Sequence, residues 1–161
     1  MEHLWSPWRM EYIMHNEPAT GCIFCQALQQ EDGPANLIVT RGKTAFVILN
    51  RYPYTSGHIM VTPYAHRPSL ELLDAETRAE LMELVSRGLQ VLRAVYKPEG
   101  FNVGVNIGAA AGAGVADHVH IHVVPRWAGD TNFMSTLAGA RVLPEALEDT
   151  HRRLCEAWET A

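Results

Sequence analysis

The sequence predicts an α+β fold built on one antiparallel sheet of about five strands, with one long helix and one C-terminal helix. Short runs rich in β-branched residues come before and after a single long segment with helical periodicity. Most connections between these segments are short, which favours antiparallel neighbours over the long crossovers of a parallel sheet. The 161 residues contain no shift in composition, so we expect a single domain over residues 1–161.

The first half of the chain predicts an irregular segment followed by three strands. Residues 1–36, which contain three prolines, are expected to be irregular. The stretch NLIVTRGKTAFVILN predicts two strands around a turn at Arg41 and Gly42. GHIMVTP predicts a third strand that ends at Pro63.

The second half predicts two helices and two further strands. DAETRAELMELVSRGLQVLRAVY has apolar residues at helical spacing, with Asp74 as the expected N-cap and Met82 expected in the core. FNVGVNI predicts a fourth strand, and the run DHVHIHVVPRW predicts a fifth. Within the C-terminal tail, residues 128–161, we expect a last helix that begins near Pro144.

Composition and charge exclude several classes of function. The net charge of −5 supplies no broad basic field, so we expect no general binding to nucleic acid and none to anionic membranes. The sequence has no run of eighteen apolar residues, and its N-terminus does not have the pattern of a secretory signal. The cysteines number three, which argues against a disulfide framework. We therefore expect a cytoplasmic protein with reduced thiols.

Three histidines alternate in DHVHIHVVPRW, at His118, His120 and His122. On a strand, alternate side chains share one face, while Val119 and Ile121 would enter the core. A solvated face that happens to carry histidines is the plainest reading, but three in register make it improbable. Two chemical readings remain open: a metal-dependent enzyme in which the three rings share one ion, or catalysis by a neutral imidazole nucleophile whose neighbours bind an anionic substrate.

A loop of small residues, NIGAAAGAGVAD, directly precedes the histidines. Glycines such as Gly112 and Gly114 let backbone N–H groups approach a ligand closely, as in phosphate-binding loops. Such a loop alone is more often only a flexible turn. Because it leads into the triple-histidine strand, it favours a phosphate ligand over a bare metal ion.

The histidine run resembles the motif of the histidine triad (HIT) family, His-φ-His-φ-His-φ-φ with φ apolar, and HVHIHVV fits it at all seven positions. FVILNRYPYTSGHIMVTPYAH and GFNVGVNIG resemble further segments of that family, and LWSPWRMEYI resembles a branch that includes bacterial diadenosine tetraphosphate phosphorylases. The resemblance covers roughly residues 37–127, the expected core region, and implies an antiparallel sheet with two main helices, usually paired into a homodimer or higher homo-oligomer. It implies an enzyme that breaks a phosphoanhydride bond of a nucleotide or dinucleoside polyphosphate through a nucleotidyl-histidine intermediate.

The resemblance also implies a role for individual residues. His120 would be the nucleophile and His122 would contact the phosphate, to which a divalent cation can also bind. Asn50 would hold the ribose hydroxyls, Asn106 with the backbone of Gly112 and Gly114 would hold the phosphates, and His58 would lie at the edge of the nucleotide site or, equally, in the core. Many members have Gln-Ser or Gln-Thr where this chain has Gly114-Val115. This departure leaves open whether water or phosphate is the acceptor, and it keeps open a non-catalytic nucleotide-binding regulatory module.

Cys22 and Cys25 form a C-x-x-C pair, which has the spacing of half a zinc site. In isolation, two buried thiols are an equally good interpretation. The resemblance adds a histidine after the third strand, here His66, and the first histidine of the triad, His118. Together these four residues would form a closed tetrahedral site for structural Zn²⁺.

Overall fold

The computed structural model of the protein describes residues 21–130 and 145–161. Five antiparallel strands form one sheet: β1 (Ile38–Arg41), β2 (Ala45–Leu49), β3 (Ile59–Pro63), β4 (Gly100–Val105) and β5 (Ile121–Arg126). Their spatial order is β1-β2-β3-β5-β4. In the described residues the α-helices are α1 (Ile23–Ala27), α2 (Ala75–Tyr96) and α3 (Leu147–Thr160), and short 3₁₀ turns cover Leu70–Leu72 and Ala109–Ala111. The predicted α+β class, with five antiparallel strands, a long helix and a C-terminal helix, is confirmed.

Helix α2 begins and ends where its sequence signals lie. The carboxylate of Asp74 accepts a hydrogen bond from the backbone N–H of Thr77 at 2.7 Å, which caps the N-terminus. At the other end Lys97 adopts a left-handed conformation with φ of 47°, and its N–H bonds to the carbonyl of Arg93. Both boundaries agree with the prediction, although a lysine and not a glycine takes the left-handed position.

Helices α2 and α3 pack together on one face of the sheet. At the contact point, a Cβ added to Gly88 would lie 2.8 Å from Cδ1 of Ile59 and 3.6 Å from the ring of Trp158. Glycine at this position therefore allows α2 to approach both β3 and α3 closely. The same helix faces solvent through Met82, which is 55% exposed, so the expectation that Met82 lies in the core was wrong. Its neighbour Leu81 carries the core-facing position instead.

Two sequence expectations differ from the structure in extent. Residues 1–36 were expected to be irregular, but α1 forms within them; residues 1–20 lie outside the described residues. The expected start of the last helix near Pro144 also lies outside them. Strand β5 begins only at Ile121, because the preceding Val119 bonds elsewhere: its N–H donates to the carbonyl of Arg67 at 2.7 Å. No helix in the described residues is long and apolar enough to cross a membrane.

Candidate active site and metal centre

The face of the sheet opposite α2 and α3 carries the histidines. In the β3–β5–β4 register, His122 lies directly between Met60 on β3 and Gly104 on β4. Asn106 directly follows β4, and His120 directly precedes β5. Because Val105 pairs with Ile121, Asn106 and His120 lie at the same end of the paired strands.

His118 lies not beside the other two rings but in a cluster with both residues of the C-x-x-C pair. Its Nδ1 is 3.3 Å from Sγ of Cys22 and 3.7 Å from Sγ of Cys25. Nδ1 of His66 lies 3.4 Å from Sγ of Cys25, and the four candidate ligand atoms all lie within 4.8 Å of one another. All four residues proposed from the sequence as metal ligands thus come together.

The cluster fits a tetrahedral zinc ion. With Zn–S near 2.3 Å and Zn–N near 2.0 Å, a tetrahedron spaces neighbouring ligand atoms about 3.3–3.8 Å apart, which the observed sulfur–nitrogen contacts match. His118 Nε2–H donates to the carbonyl of Pro63 at 2.8 Å, which leaves the Nδ1 lone pair directed at the cysteines. Burial lowers the pKa of His118, so the ring is in the neutral form that a metal requires.

His120 is buried, with 4% of its surface exposed. Its Nδ1–H donates to the backbone carbonyl of His118 at 2.9 Å. This bond fixes the tautomer in which Nε2 carries the lone pair. Burial lowers the pKa of His120, although the bond to the His118 carbonyl raises it in part. The ring is therefore neutral near pH 7, and Nε2 is the nitrogen available for nucleophilic attack.

The tautomer of His122 follows from a chain of hydrogen bonds that starts at a backbone amide. The N–H of Tyr54 donates to Nδ1 of His58 at 3.1 Å, so His58 carries its hydrogen on Nε2. That nitrogen lies 3.0 Å from Nδ1 of His122 and donates to it. His122 then carries its own hydrogen on Nε2, which makes this nitrogen a hydrogen-bond donor suited to a phosphoryl oxygen. His58 is fully buried, so it is both a core residue and a member of this series of hydrogen bonds.

The remaining candidate residues from the sequence differ in how far they are buried. Asn50 is half-buried; its Oδ1 accepts from the N–H of Tyr52 at 2.9 Å, and its Nδ2 is 3.4 Å from Nδ1 of His58. Asn106 is half-buried and Gly114 is exposed. Gly112 has φ of 85°, and its N–H bonds to the carbonyl of Ala109 at 2.9 Å, so that amide would have to leave this bond to contact a phosphate.

The three histidines therefore have three different sets of partners: the cysteine cluster, a backbone carbonyl and His58. This separation argues against one ion shared by all three rings. Sequence reasoning missed Phe24, whose ring contacts both His118 and His120, and Tyr54, whose ring lies 4.8 Å from that of His58. The apolar position inside the C-x-x-C pair was the only signal for Phe24, and no sequence pattern pointed to Tyr54.

Comparison with protein families identifies the family to which this site geometry belongs. The HIT domain model matches residues 31–129. The chain belongs to the histidine triad family. This histidine triad chain is 40% identical to AP-4-A phosphorylase from two strains of Mycobacterium tuberculosis, over 98% of its own length and 85% of the relative's. The core region expected at residues 37–127 stays a prediction.

Solved structures show the same histidine triad fold. A Zn-bound histidine triad family protein from Mycobacterium smegmatis superposes with a TM-score of 0.69 and 27% identity, covering 87% of this chain and 94% of that one. A hypothetical histidine triad nucleotide-binding protein from Sulfolobus tokodaii gives a TM-score of 0.70 and 28% identity, with coverage of 86% and 93%. The first of these was solved with zinc bound, and the Cys/His cluster of the present chain is compatible with the same metal.

Proposed function

We propose that the protein cleaves a phosphoanhydride bond of dinucleoside polyphosphates such as diadenosine tetraphosphate, with His120 as the covalent nucleophile. The observation that carries this proposal is the buried, neutral His120, whose Nδ1–H is held by the His118 carbonyl so that Nε2 keeps its lone pair. The 40% identity to AP-4-A phosphorylase over nearly the whole chain supports the substrate class.

In the first step Nε2 of His120 attacks the α-phosphorus of diadenosine tetraphosphate. The nitrogen–phosphorus bond forms, the bond from that phosphorus to the bridging oxygen breaks, and ATP leaves. Adenylate remains on His120, so one difficult displacement becomes two easier ones. His122 Nε2–H and the side chain of Asn106 would donate hydrogen bonds to the phosphoryl oxygens as charge develops on them.

In the second step an acceptor displaces His120 from the phosphorus. Inorganic phosphate gives ADP, so that phosphorolysis yields ATP and ADP in total, whereas water gives AMP. We favour phosphate, because the relative that aligns over nearly the whole chain is a phosphorylase. Gly114, where many relatives have glutamine, would leave more room at this loop for an acceptor larger than water.

We also propose one zinc ion per chain in a structural role, held by Cys22, Cys25, His66 and His118. When bound, it would fix α1 and the start of the histidine run to the loop after β3. Its ligand His118 supplies the carbonyl that orients His120, so the metal would stabilise the site without contacting the substrate.

The remaining proposals concern context. We infer a homodimer or higher homo-oligomer, a single domain over residues 1–161, and a reducing cytoplasmic location in which the thiol ligands persist. The expected partner is the dinucleotide substrate, whose phosphates can bring a divalent cation, and not a nucleic acid or a membrane.

The test is incubation with diadenosine tetraphosphate, with and without inorganic phosphate, followed by chromatographic identification of the products. We expect ATP and ADP in the presence of phosphate. AMP formed at the same rate with and without phosphate would replace phosphorolysis by hydrolysis. Two ADP from symmetric cleavage would exclude attack at the α-phosphorus, and tight binding without turnover would favour the non-catalytic regulatory module.

A further inference from the structure

Phe24 lies between the Cys/His cluster and the proposed nucleophile. It lies between Cys22 and Cys25 on α1 and is 1% exposed. Its ring centroid is 5.2 Å from that of His118 and 5.0 Å from that of His120. One buried side chain thus contacts a candidate zinc ligand and the residue proposed to attack the substrate.

The helix that carries Phe24 cannot hold its position by its own hydrogen bonds. It is five residues long, and Cys22 at its N-cap makes no capping bond through its side chain. Isolated helices this short are unstable in water, so tertiary contacts must hold α1 in place. Phe24 and Ala27 are buried in the core, and Asn36 Nδ2 donates a hydrogen bond to the Ala27 carbonyl at 3.1 Å. The thiols of Cys22 and Cys25 add contacts within the Cys/His cluster.

The ring of His120 is constrained on three sides. Its Nδ1–H is bonded to the His118 carbonyl, and the ring of His122 lies edge-on at 4.8 Å. Phe24 supplies the apolar contact. A hydrogen bond from one nitrogen still permits the imidazole to swing about that bond, whereas a packed aromatic ring opposes this motion. Packing against Phe24 therefore helps to determine where Nε2 points.

We propose that Phe24 is a positioning residue for His120, and that zinc bound at the Cys/His cluster influences catalysis through Phe24. The inference rests on the proposed function for its kinetic readout and on the proposed zinc ligands for its metal dependence. Zinc fixes α1 through Cys22 and Cys25, α1 fixes Phe24, and Phe24 fixes the ring of His120. Because Phe24 is buried, it is not expected to contact the nucleoside.

The first experiment compares F24L with F46L. Phe46 is also fully buried, but its ring packs against Tyr64 at 5.5 Å, so F46L is a matched loss of one aromatic ring elsewhere in the core. We expect F24L to lower kcat for diadenosine tetraphosphate by about ten- to a hundredfold while KM changes by less than about twofold. F46L, corrected for folded fraction, should leave both constants unchanged.

The second experiment measures the His120 ring directly by nitrogen NMR of histidine-labelled protein. In the wild type His120 should show a single neutral tautomer with hydrogen on Nδ1. F24L, and wild type after zinc chelation, should show mixed tautomers or exchange broadening at His120, whereas F46L should match the wild type. Zinc returned to the chelated wild type should restore the single tautomer.

The third comparison tests the coupling between metal and ring. Chelation should lower kcat of the wild type by about as much as F24L does, and should lower kcat of F24L by less than about twofold further. Reductions in kcat by chelation and by F24L that multiply independently would refute the coupling.

A raised KM with unchanged kcat in F24L would instead make Phe24 a nucleoside contact, and an unchanged His120 spectrum in F24L would refute the positioning role. If the wild type turns over no dinucleotide, the proposed function fails while the spectra still decide the role of Phe24.

Discussion

At the scale of single residues, the decisive property of the site is which ring nitrogen carries the hydrogen. Two backbone groups settle this for two histidines: the His118 carbonyl for His120, and the Tyr54 amide, through His58, for His122. Adjacent rings thus receive opposite tautomers, one leaving a lone pair on Nε2 and the other a hydrogen. The proposed nucleophile and the proposed phosphate-binding donor are then the same residue type.

Replacing His120 should remove chemistry while sparing binding. Asparagine keeps polarity and approximate size but lacks the attacking nitrogen, so we expect turnover of diadenosine tetraphosphate by H120N to fall at least about a thousandfold, about 4 kcal/mol in barrier. Nucleotide affinity, measured by calorimetry, should remain close to that of the wild type.

The matched control is H151N. His151 is also buried, and its Nε2–H donates to the Ile38 carbonyl at 2.8 Å, but it lies on α3 away from the site. H151N should lower stability without lowering turnover per folded molecule. If H120N kept more than about a tenth of wild-type activity, or if acid-labile adenylate mapped to another residue, His120 would not be the nucleophile.

Much of this residue-scale picture could be predicted from the sequence. The alternation of histidines predicted a shared face, and the family resemblance implied separate roles for His118 and His120. The carbonyls and amides that set the tautomers could not be predicted, because backbone groups are the same at every position and only the folded geometry selects them. The same limit applies to Gly112, whose expected phosphate-binding amide is engaged within its own turn.

At the scale of secondary-structure elements, α1 is too short to be stable without tertiary contacts. We expect the C22S/C25S double variant to lose its zinc, from about one ion per chain to less than about a tenth by elemental analysis. Its free energy of unfolding should fall by about 4 kcal/mol when free zinc exceeds the wild-type dissociation constant about a thousandfold. C155S, which alters a half-buried thiol on α3, should retain zinc; equal zinc in all three proteins would rule out the proposed ligands.

The loop between β2 and β3 depends on one glycine. Gly57 directly precedes His58 and has φ of 79°, and an added Cβ would lie 3.0 Å from Cδ2 of Leu92 and 3.1 Å from the ring of Tyr96. We expect G57A to lower the free energy of unfolding by at least about 1–2 kcal/mol from backbone strain alone, measured by urea titration. G100A is the control, because its Cβ meets nothing within 4 Å; equal stability of the two variants would contradict the argument.

Element boundaries were predicted well where sequence signals are local. Asp74, Pro63 and the turn after Arg41 mark the ends of α2, β3 and β1 as expected. Helix α1 was missed because five residues carry too little periodicity to be recognised. Met82 was misplaced because its apolar character was weighed above its position: it lies about 100° around the helix from Leu81, off the core-facing stripe.

At the scale of the whole molecule, the two edges of the sheet differ in exposure. Edge strand β1 contributes the buried Ile38 and Val39 and contacts α3. Edge strand β4 is largely exposed in the part of the chain that the structure describes, and Val103 at its centre is 46% exposed. An exposed edge with an apolar residue is a natural site for antiparallel pairing with a second copy about a twofold axis.

We therefore expect the wild type to be at least a dimer at micromolar concentration and V103E to dissociate. Two glutamates brought together across a twofold axis would repel each other, so the dimer dissociation constant should rise at least about a hundredfold. M82E is the matched control, because Met82 is similarly exposed but lies on α2. Light scattering distinguishes the outcomes: a monomeric wild type, or dimers for both variants, would refute pairing through β4.

The Cys/His cluster also constrains the order in which the chain assembles. Its contacts join residues far apart in sequence, 41 positions between Cys25 and His66 and 96 between Cys22 and His118. Closing loops of this length costs conformational entropy that neither thiol can offset alone, so a complete ligand set exists only after β3 and β5 have paired. During synthesis the two cysteines emerge long before His118, and the nascent chain must carry them as free thiols until the sheet closes. Zinc at the proposed site would then load late, after β3 and β5 have paired.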